Sequence, residues 1–153
     1  MQAPASRPVP EELRRAIIAL NHPLLRTAPV SERHQVGLPA GRGGAASVEH
    51  RITAFLASAS DIVFAANRTL HPGKKRLLEH VAAPGDGGPD GLLPHIRALL
   101  EGDAPLPAMA PICDDIAAML RDHGLTLADG VRGEEAWRPD HTRNAGLAWP
   151  ERR

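Results

Sequence analysis

Residues 47–68, SVEHRITAFLASASDIVFAANR, carry the clearest helical periodicity in the sequence. At 100° per residue the apolar side chains form one broad face, which consists of Val48, Ile52, Phe55, Leu56, Ala59, Ile62, Val63 and Ala66. Ser47 is a suitable N-cap, and Glu49 places a negative charge in the first turn, where the helix dipole favours one. The pattern predicts a long helix over 48–70 that forms the spine of the domain.

The opposite face of this helix is polar and has little side-chain bulk. His50, Asp61 and Arg68 share it, at separations close to whole numbers of turns. Phe64 lies away from the main apolar stripe, and we expect it to cover a second, smaller contact.

Weaker periodic segments predict the other helices. The first runs from Pro10 to about Leu20 and ends before Pro23, and its predicted inner face is Leu13, Ile17, Ile18 and Leu20. A third helix begins within 71–81, and a fourth spans 91–102 with Leu93, Ile96 and Leu100 inward. A fifth begins at Pro111 and stops at Gly124; its predicted stripe is Ile112, Ile116, Met119 and Leu120.

Composition limits the size of the core. The 153 residues include only two phenylalanines, two tryptophans and no tyrosine, against 14 glycines and 15 prolines. We therefore expect loops over 29–46 and 103–110, a disordered arm over 1–9, and an irregular or wrapping tail over 129–153 that contains Trp137 and Trp149. The predicted fold is all-α: four to five helices in an antiparallel, bundle-like domain over 10–128, with loose ends.

Charge and hydropathy exclude some function classes. The formal net charge is zero, which argues against a general nucleic-acid or membrane-surface binder. No segment approaches the roughly 20 apolar residues that span a bilayer, and the N-terminal residues do not read as a secretory signal. These features favour a cytoplasmic protein.

Metal and thiol chemistry find little support in the pattern. The eight histidines form no His-Glu-x-x-His motif, and the adjacent Asp114 and Asp115 diverge on a helix. Cys113 is the only cysteine, and its place in a helix is typical of a small buried residue. The glycine-rich run over 41–47 lacks the Gly-Lys-Ser/Thr ending of a phosphate-binding loop, so it reads as a loop and helix cap. We predict no metal and no resident cofactor.

The basic run NRTLHPGKKR, residues 67–76, is the main candidate site. It places Asn67, Arg68, Lys75 and Arg76 around a joint between two predicted helices, where free backbone amides suit an anion. A phosphate or a partner's carboxylate would fit there. The alternative is a solvated surface on which Arg68 pairs with Asp61, and the sequence leaves both possibilities open.

The same region resembles a known family. The segment over 60–81 is similar to part of the C-terminal helical region of bacterial nucleotidyltransferase-type proteins, and the matching residues are Phe64, Asn67, Arg68, Pro72, Lys75, Arg76, Leu77 and Leu78. Ala66 replaces the usual leucine, and His71 stands at an aromatic position. The family's Gly-Ser turn and Asp-x-Asp pair, which hold Mg²⁺ for transfer, are absent from this chain.

The resemblance implies a helical substrate-binding or accessory domain without transfer activity of its own. Its contacts would be Asn67, Arg68, Lys75 and Arg76, and Mg²⁺ and a nucleotide would require a separate catalytic subunit. Partners would be that subunit, a second copy of the chain, or a small phosphorylated or anionic ligand. Asp61 and His50 are the candidates if any residue acts as a base.

Two other functions remain open from the sequence. A thin core and two tail tryptophans also suit a non-enzymatic protein-interaction module. A small helical nuclease using Arg76 and His80, which share a helix face, is the third hypothesis.

Overall fold

The fold is all-α, as the sequence predicts. A computed structural model describes residues 9–26, 31–33, 36, 44–69, 89–125 and 127. This part of the chain contains no strand, and its helices are α1 (Glu11–Arg26), α2 (Ala45–Ala66), α3 (Leu92–Glu101) and α4 (Pro105–Asp122). The third predicted helix and the predicted tail lie outside the described residues.

Helix α2 is the central element. It packs against α1 on one side and contacts α4 on another, while α3 packs against α4. Its predicted apolar face is confirmed: Phe55, Ile62 and Val63 are fully buried, and Val48 and Ile52 pack against the core from its edge. Phe64, outside the main stripe, is also buried.

The bounds of α2 differ from the predicted 48–70. The helix begins at Ala45, with Gly44 as its N-cap and no side-chain capping bond, so Ser47 lies inside the first turn. The two alanines have the highest helix propensity and extend the helix backward into the predicted loop. The helix stops at Ala66 because Arg68 adopts a left-handed backbone, with φ 57°.

The face that the first helix buries is only partly the predicted one: Ile18 is buried and Ile17 packs against the core, but Leu13 and Leu20 do not face inward. Leu13 and Leu20 are 45% and 68% exposed, whereas Ile18 and Leu25 are buried. The buried stripe runs through Arg14, Ile18, Asn21 and Leu25, at helical spacings of four, three and four. A buried arginine in the stripe is the reason for the error, because hydropathy places arginine on the surface.

Two helix bounds that were predicted from prolines are wrong: the end of α1 and the start of α4. Helix α1 continues through Pro23 to Arg26, although an internal proline costs about 3 kcal/mol. Full burial of Leu25 in the following turn contributes about 1.5–3 kcal/mol and offsets most of that cost. Helix α4 begins at Pro105 rather than Pro111, since proline is well accommodated in a first turn.

Two further expectations need correction. Leu100 is 52% exposed, whereas α3 buries Ile96, as predicted, together with Leu92 and Leu99. Within the predicted loop over 29–46, Glu32, Arg33 and Val36 are helical.

The predicted stripe of α4 is confirmed, since all four of its residues are buried, and Cys113 is buried as well. None of the helices in the described ranges is long and apolar enough to cross a membrane.

The two faces of α1 should respond differently to truncation. We expect Ile18→Ala to lower the free energy of unfolding by about 3 kcal/mol, through lost burial and a residual cavity. Leu20→Ala removes an exposed side chain and should change it by less than about 0.5 kcal/mol. Urea unfolding followed by far-UV circular dichroism measures both, and equal effects would contradict the buried face assigned here.

Candidate functional site

The end of α2 is closed by a pattern of two backbone hydrogen bonds. The Thr69 amide donates to the Phe64 carbonyl at 2.9 Å, and the Arg68 amide donates to the Ala65 carbonyl at 3.0 Å. With Arg68 in the left-handed region, these bonds form a Schellman motif. Asn67 is the C-cap, and its side-chain amide donates to the Val63 carbonyl at 2.8 Å.

Helix α4 ends in the same motif but with the usual residue. Its left-handed position is Gly124, with φ 70°, and the Leu125 and Gly124 amides donate to the carbonyls of Leu120 and Arg121. Glycine adopts this conformation without steric cost, whereas a side-chain-bearing residue loses about 1–2 kcal/mol. Arg68 therefore occupies a position where backbone energetics favour glycine.

A buried arginine joins α1 to this helix end. Arg14 is 5% exposed, and its Nε and Nη2 atoms donate to the carbonyls of Ala65 and Ala66 at 3.1 and 3.0 Å. These carbonyls carry the partial negative charge of the helix C-terminus, so a guanidinium complements them. The interaction fixes the N-terminal half of α1 against the last turn of α2.

Glu11 lies between the two arginines. One carboxylate oxygen is 3.0 Å from Arg14 Nη1, and the other is 2.8 Å from Arg68 Nη2. Nearby, the buried Val9, which falls in the predicted arm, donates its amide to the Arg68 carbonyl at 3.3 Å. We call Glu11, Arg14, Asn67 and Arg68 the α2 joint. It holds two guanidinium groups and one carboxylate.

The α2 joint contains only part of the predicted site. Asn67 and Arg68 meet there, but Lys75 and Arg76 lie outside the described residues, as do the nuclease candidates Arg76 and His80. Arg68 pairs with Glu11 of α1. The candidate bases are elsewhere on α2: His50 is exposed near its start, and Asp61 is half-buried. Eleven residues of helix, about 16 Å, separate the two.

A second polar pair joins α3 to α4. His95 Nδ1 lies 2.6 Å from Asp115 Oδ2, with side chains 39% and 22% exposed. Both sit over Gly91, where a Cβ atom would approach Asp115 Oδ2 and His95 Cε1 to 3.4 Å. A carboxylate at Nδ1 orients the imidazole and leaves Nε2 as the nitrogen that can exchange a proton. No local pattern predicts this pair, because its members are twenty residues apart in the sequence.

The surroundings of this pair limit its chemistry. A cleft of about 400 Å³ beside Asp115 is lined by Asp90, Asp122 and His123 among others. Over the described ranges, no group of three histidine, cysteine or acidic residues is placed to hold a metal ion. The pair connects α3 to α4 through one short side-chain contact.

We expect a measurable coupling between His95 and Asp115. In a double-mutant cycle of His95→Ala and Asp115→Ala, the two effects on the free energy of unfolding should fail to add by about 1 kcal/mol. Asp122→Ala, which removes an exposed carboxylate from the same helix, should not couple to His95→Ala. Additive effects of the first two substitutions would show that the contact contributes nothing to stability.

Comparison with protein-family models, with curated proteins and with solved structures finds no match to this chain.

Proposed function

We propose that this chain is a helical substrate-binding or accessory domain that binds an anionic group, a phosphate above all, through Arg68 at the α2 joint. The proposal follows the resemblance to the helical region of nucleotidyltransferase-type proteins. It assigns no transfer activity to the chain alone. Mg²⁺ and a nucleotide would come with a separate catalytic subunit, and self-association is the other arrangement compatible with it.

The observation that supports this function is the identity of the residue at the left-handed position of the Schellman motif. Arg68 has φ 57°, and the equivalent position in α4 is Gly124. A strained backbone conformation at a non-glycine residue is more common at functional sites than elsewhere. The Arg68 guanidinium at the end of α2 is half-exposed, so it is accessible to a ligand.

The electrostatics of the α2 joint favour an exchangeable anion. Arg68 contacts Glu11 through Nη2, with both side chains partly exposed, at 53% and 37%. An exposed ion pair of this kind contributes about 0–1 kcal/mol. A phosphate carries more negative charge than a carboxylate and accepts two parallel hydrogen bonds from one guanidinium. It therefore competes well with Glu11.

Arg14 is not available for the same role. Its Nε and Nη2 donors are engaged by the carbonyls of α2, and the side chain is buried. We assign it to positioning: it holds Glu11 and the end of α2 in place. Lys75 and Arg76 follow Arg68 by seven and eight residues and lie outside the described residues, and the resemblance implies them as further contacts.

The Arg68→Gly variant should weaken anion binding without lowering the stability of the fold. Glycine relieves about 1–2 kcal/mol of backbone strain and removes a weak ion pair, so the free energy of unfolding should stay equal or rise. Affinity for inorganic pyrophosphate, measured by isothermal titration calorimetry, should fall about tenfold or more, since a charge-assisted hydrogen bond contributes about 1.5–3 kcal/mol.

Glu11→Gln tests the same site from the other side. Removing the competing carboxylate should tighten pyrophosphate binding by up to about fivefold. Glu12→Gln is the matched control, because it removes an exposed charge one residue away. Unchanged affinity in Arg68→Gly, or equal gains in the two glutamine variants, would overturn Arg68 as the contact. Retained affinity together with lost stability would assign Arg68 a structural role.

A further inference from the structure

A partly apolar cleft of about 740 Å³ lies between the N-terminal half of α2 and the connection from α3 to α4. Its walls include Val48 and Ile52 of α2, Leu99 and Leu100 of α3, and Pro105 of α4. The volume falls in the range of protein sites that enclose small ligands or side chains, about 300–1,000 Å³. This cleft is far from the α2 joint, at the opposite end of α2.

The wall of the cleft carries an exposed apolar side chain. Leu100 is 52% exposed, although it was predicted to face the core, and it stands at the cleft wall beside the buried Leu99. Exposed apolar surface that is rimmed by polar residues is typical of an interaction site. An apolar side chain seated against Leu100 would remove this surface from water.

The rim of the cleft is acidic. Glu49 and Asp103 line it with exposed side chains, and among the lining residues that the structure describes none is basic. The occupant should therefore combine an apolar anchor with nearby positive charge. An acidic or neutral segment would leave these two carboxylates uncompensated.

One segment of the chain itself has this chemistry. Residues 146–153, GLAWPERR, lie outside the described residues, and in them Arg152 and Arg153 follow Trp149 by three and four residues. Residues 146–153 have a net charge of +1, because Arg152 and Arg153 outnumber Glu151. The matching window around the other tryptophan, residues 134–141, has a net charge of −2, because its three acidic residues outnumber Arg138. Charge thus distinguishes Trp149 from Trp137 as the occupant.

The length of the chain permits the contact. The described residues end at Leu127, beyond the C-terminal end of α4, whereas the cleft is at its N-terminal end. The 18 residues of α4 span about 27 Å at 1.5 Å per residue. The 22 residues from Leu127 to Trp149 reach up to about 70 Å when extended.

We propose that the α2–α3–α4 cleft binds the chain's own C-terminal segment, with Trp149 against Leu100 and the two terminal arginines against Glu49 and Asp103. The contact is intramolecular and independent of anion binding at the α2 joint. In this proposal Trp149, and not Trp137, contacts the described helices.

Tryptophan fluorescence tests the proposal directly, because the chain has two tryptophans and no tyrosine. In full-length Trp137→Phe, emission comes from Trp149 and should lie to the blue of the same chain unfolded in urea. Adding Leu100→Glu should shift it to the red and increase its quenching by acrylamide. The control Leu20→Glu, at an exposed site on α1, should leave it unchanged.

Two further variants test the acidic rim and the identity of the tryptophan. Glu49→Lys should also shift Trp149 emission to the red, without touching the apolar wall. In Trp149→Phe, the remaining Trp137 emission should not respond to Leu100→Glu. The proposal is overturned if Trp149 emission matches that of the unfolded chain from the start, or is insensitive to Leu100→Glu. A shift on dilution would identify a second copy as the donor of the segment and would overturn the intramolecular contact.

Discussion

The guanidinium of Arg14, held by the last carbonyls of α2, is the contact on which the arrangement of the α2 joint depends. A helix end leaves four carbonyls without intrahelical partners, and burial of such groups costs about 1–3 kcal/mol each if they stay unsatisfied. Arg14 donates to two of them from a different helix: to the Ala66 carbonyl, and to the Ala65 carbonyl, which also accepts from the Arg68 amide. Because the arginine is itself buried, Glu11 supplies the countercharge that makes its desolvation tolerable.

This contact links the stability of the fold to the candidate site. Glu11 is held by Arg14 on one side and reaches Arg68 on the other. The backbone of Arg68 is set by the Schellman motif that ends α2. The same few residues therefore join two helices and present one accessible guanidinium. The α4 terminus provides an internal comparison, since there a glycine performs the backbone role alone.

Sequence reasoning succeeds where burial follows hydropathy. The apolar faces of α2 and α4 are periodic, so Phe55, Ile62, Ile112 and Ile116 were placed correctly. It fails where a polar group is buried by a tertiary contact: Arg14 lies in the inward stripe of α1, and its carbonyl partners are 51 and 52 residues away. The predicted end of α1 and start of α4 are also wrong, because burial of Leu25 offsets most of the cost of Pro23 and because Pro105 is well accommodated in a first turn.

The candidate site divides in the same way. Charge clustering pointed to Arg68, but nothing local shows that its counterion is Glu11, 57 positions earlier. The pairing of His95 with Asp115 is equally invisible without the packing of α3 on α4. Local composition thus locates an excess of charge, whereas the fold decides which of those charges are compensated and which remain accessible.

The bond from Arg14 Nε to the Ala65 carbonyl can be observed directly by nuclear magnetic resonance. Arginine Nε–H protons in contact with water exchange rapidly near neutral pH, and a buried, hydrogen-bonded one is protected. We expect a slowly exchanging arginine Nε–H signal that disappears in Arg14→Lys and persists in Arg97→Lys, at an exposed position on α3. An Arg14 signal that exchanges as rapidly as those of exposed arginines would contradict the helix-end contact.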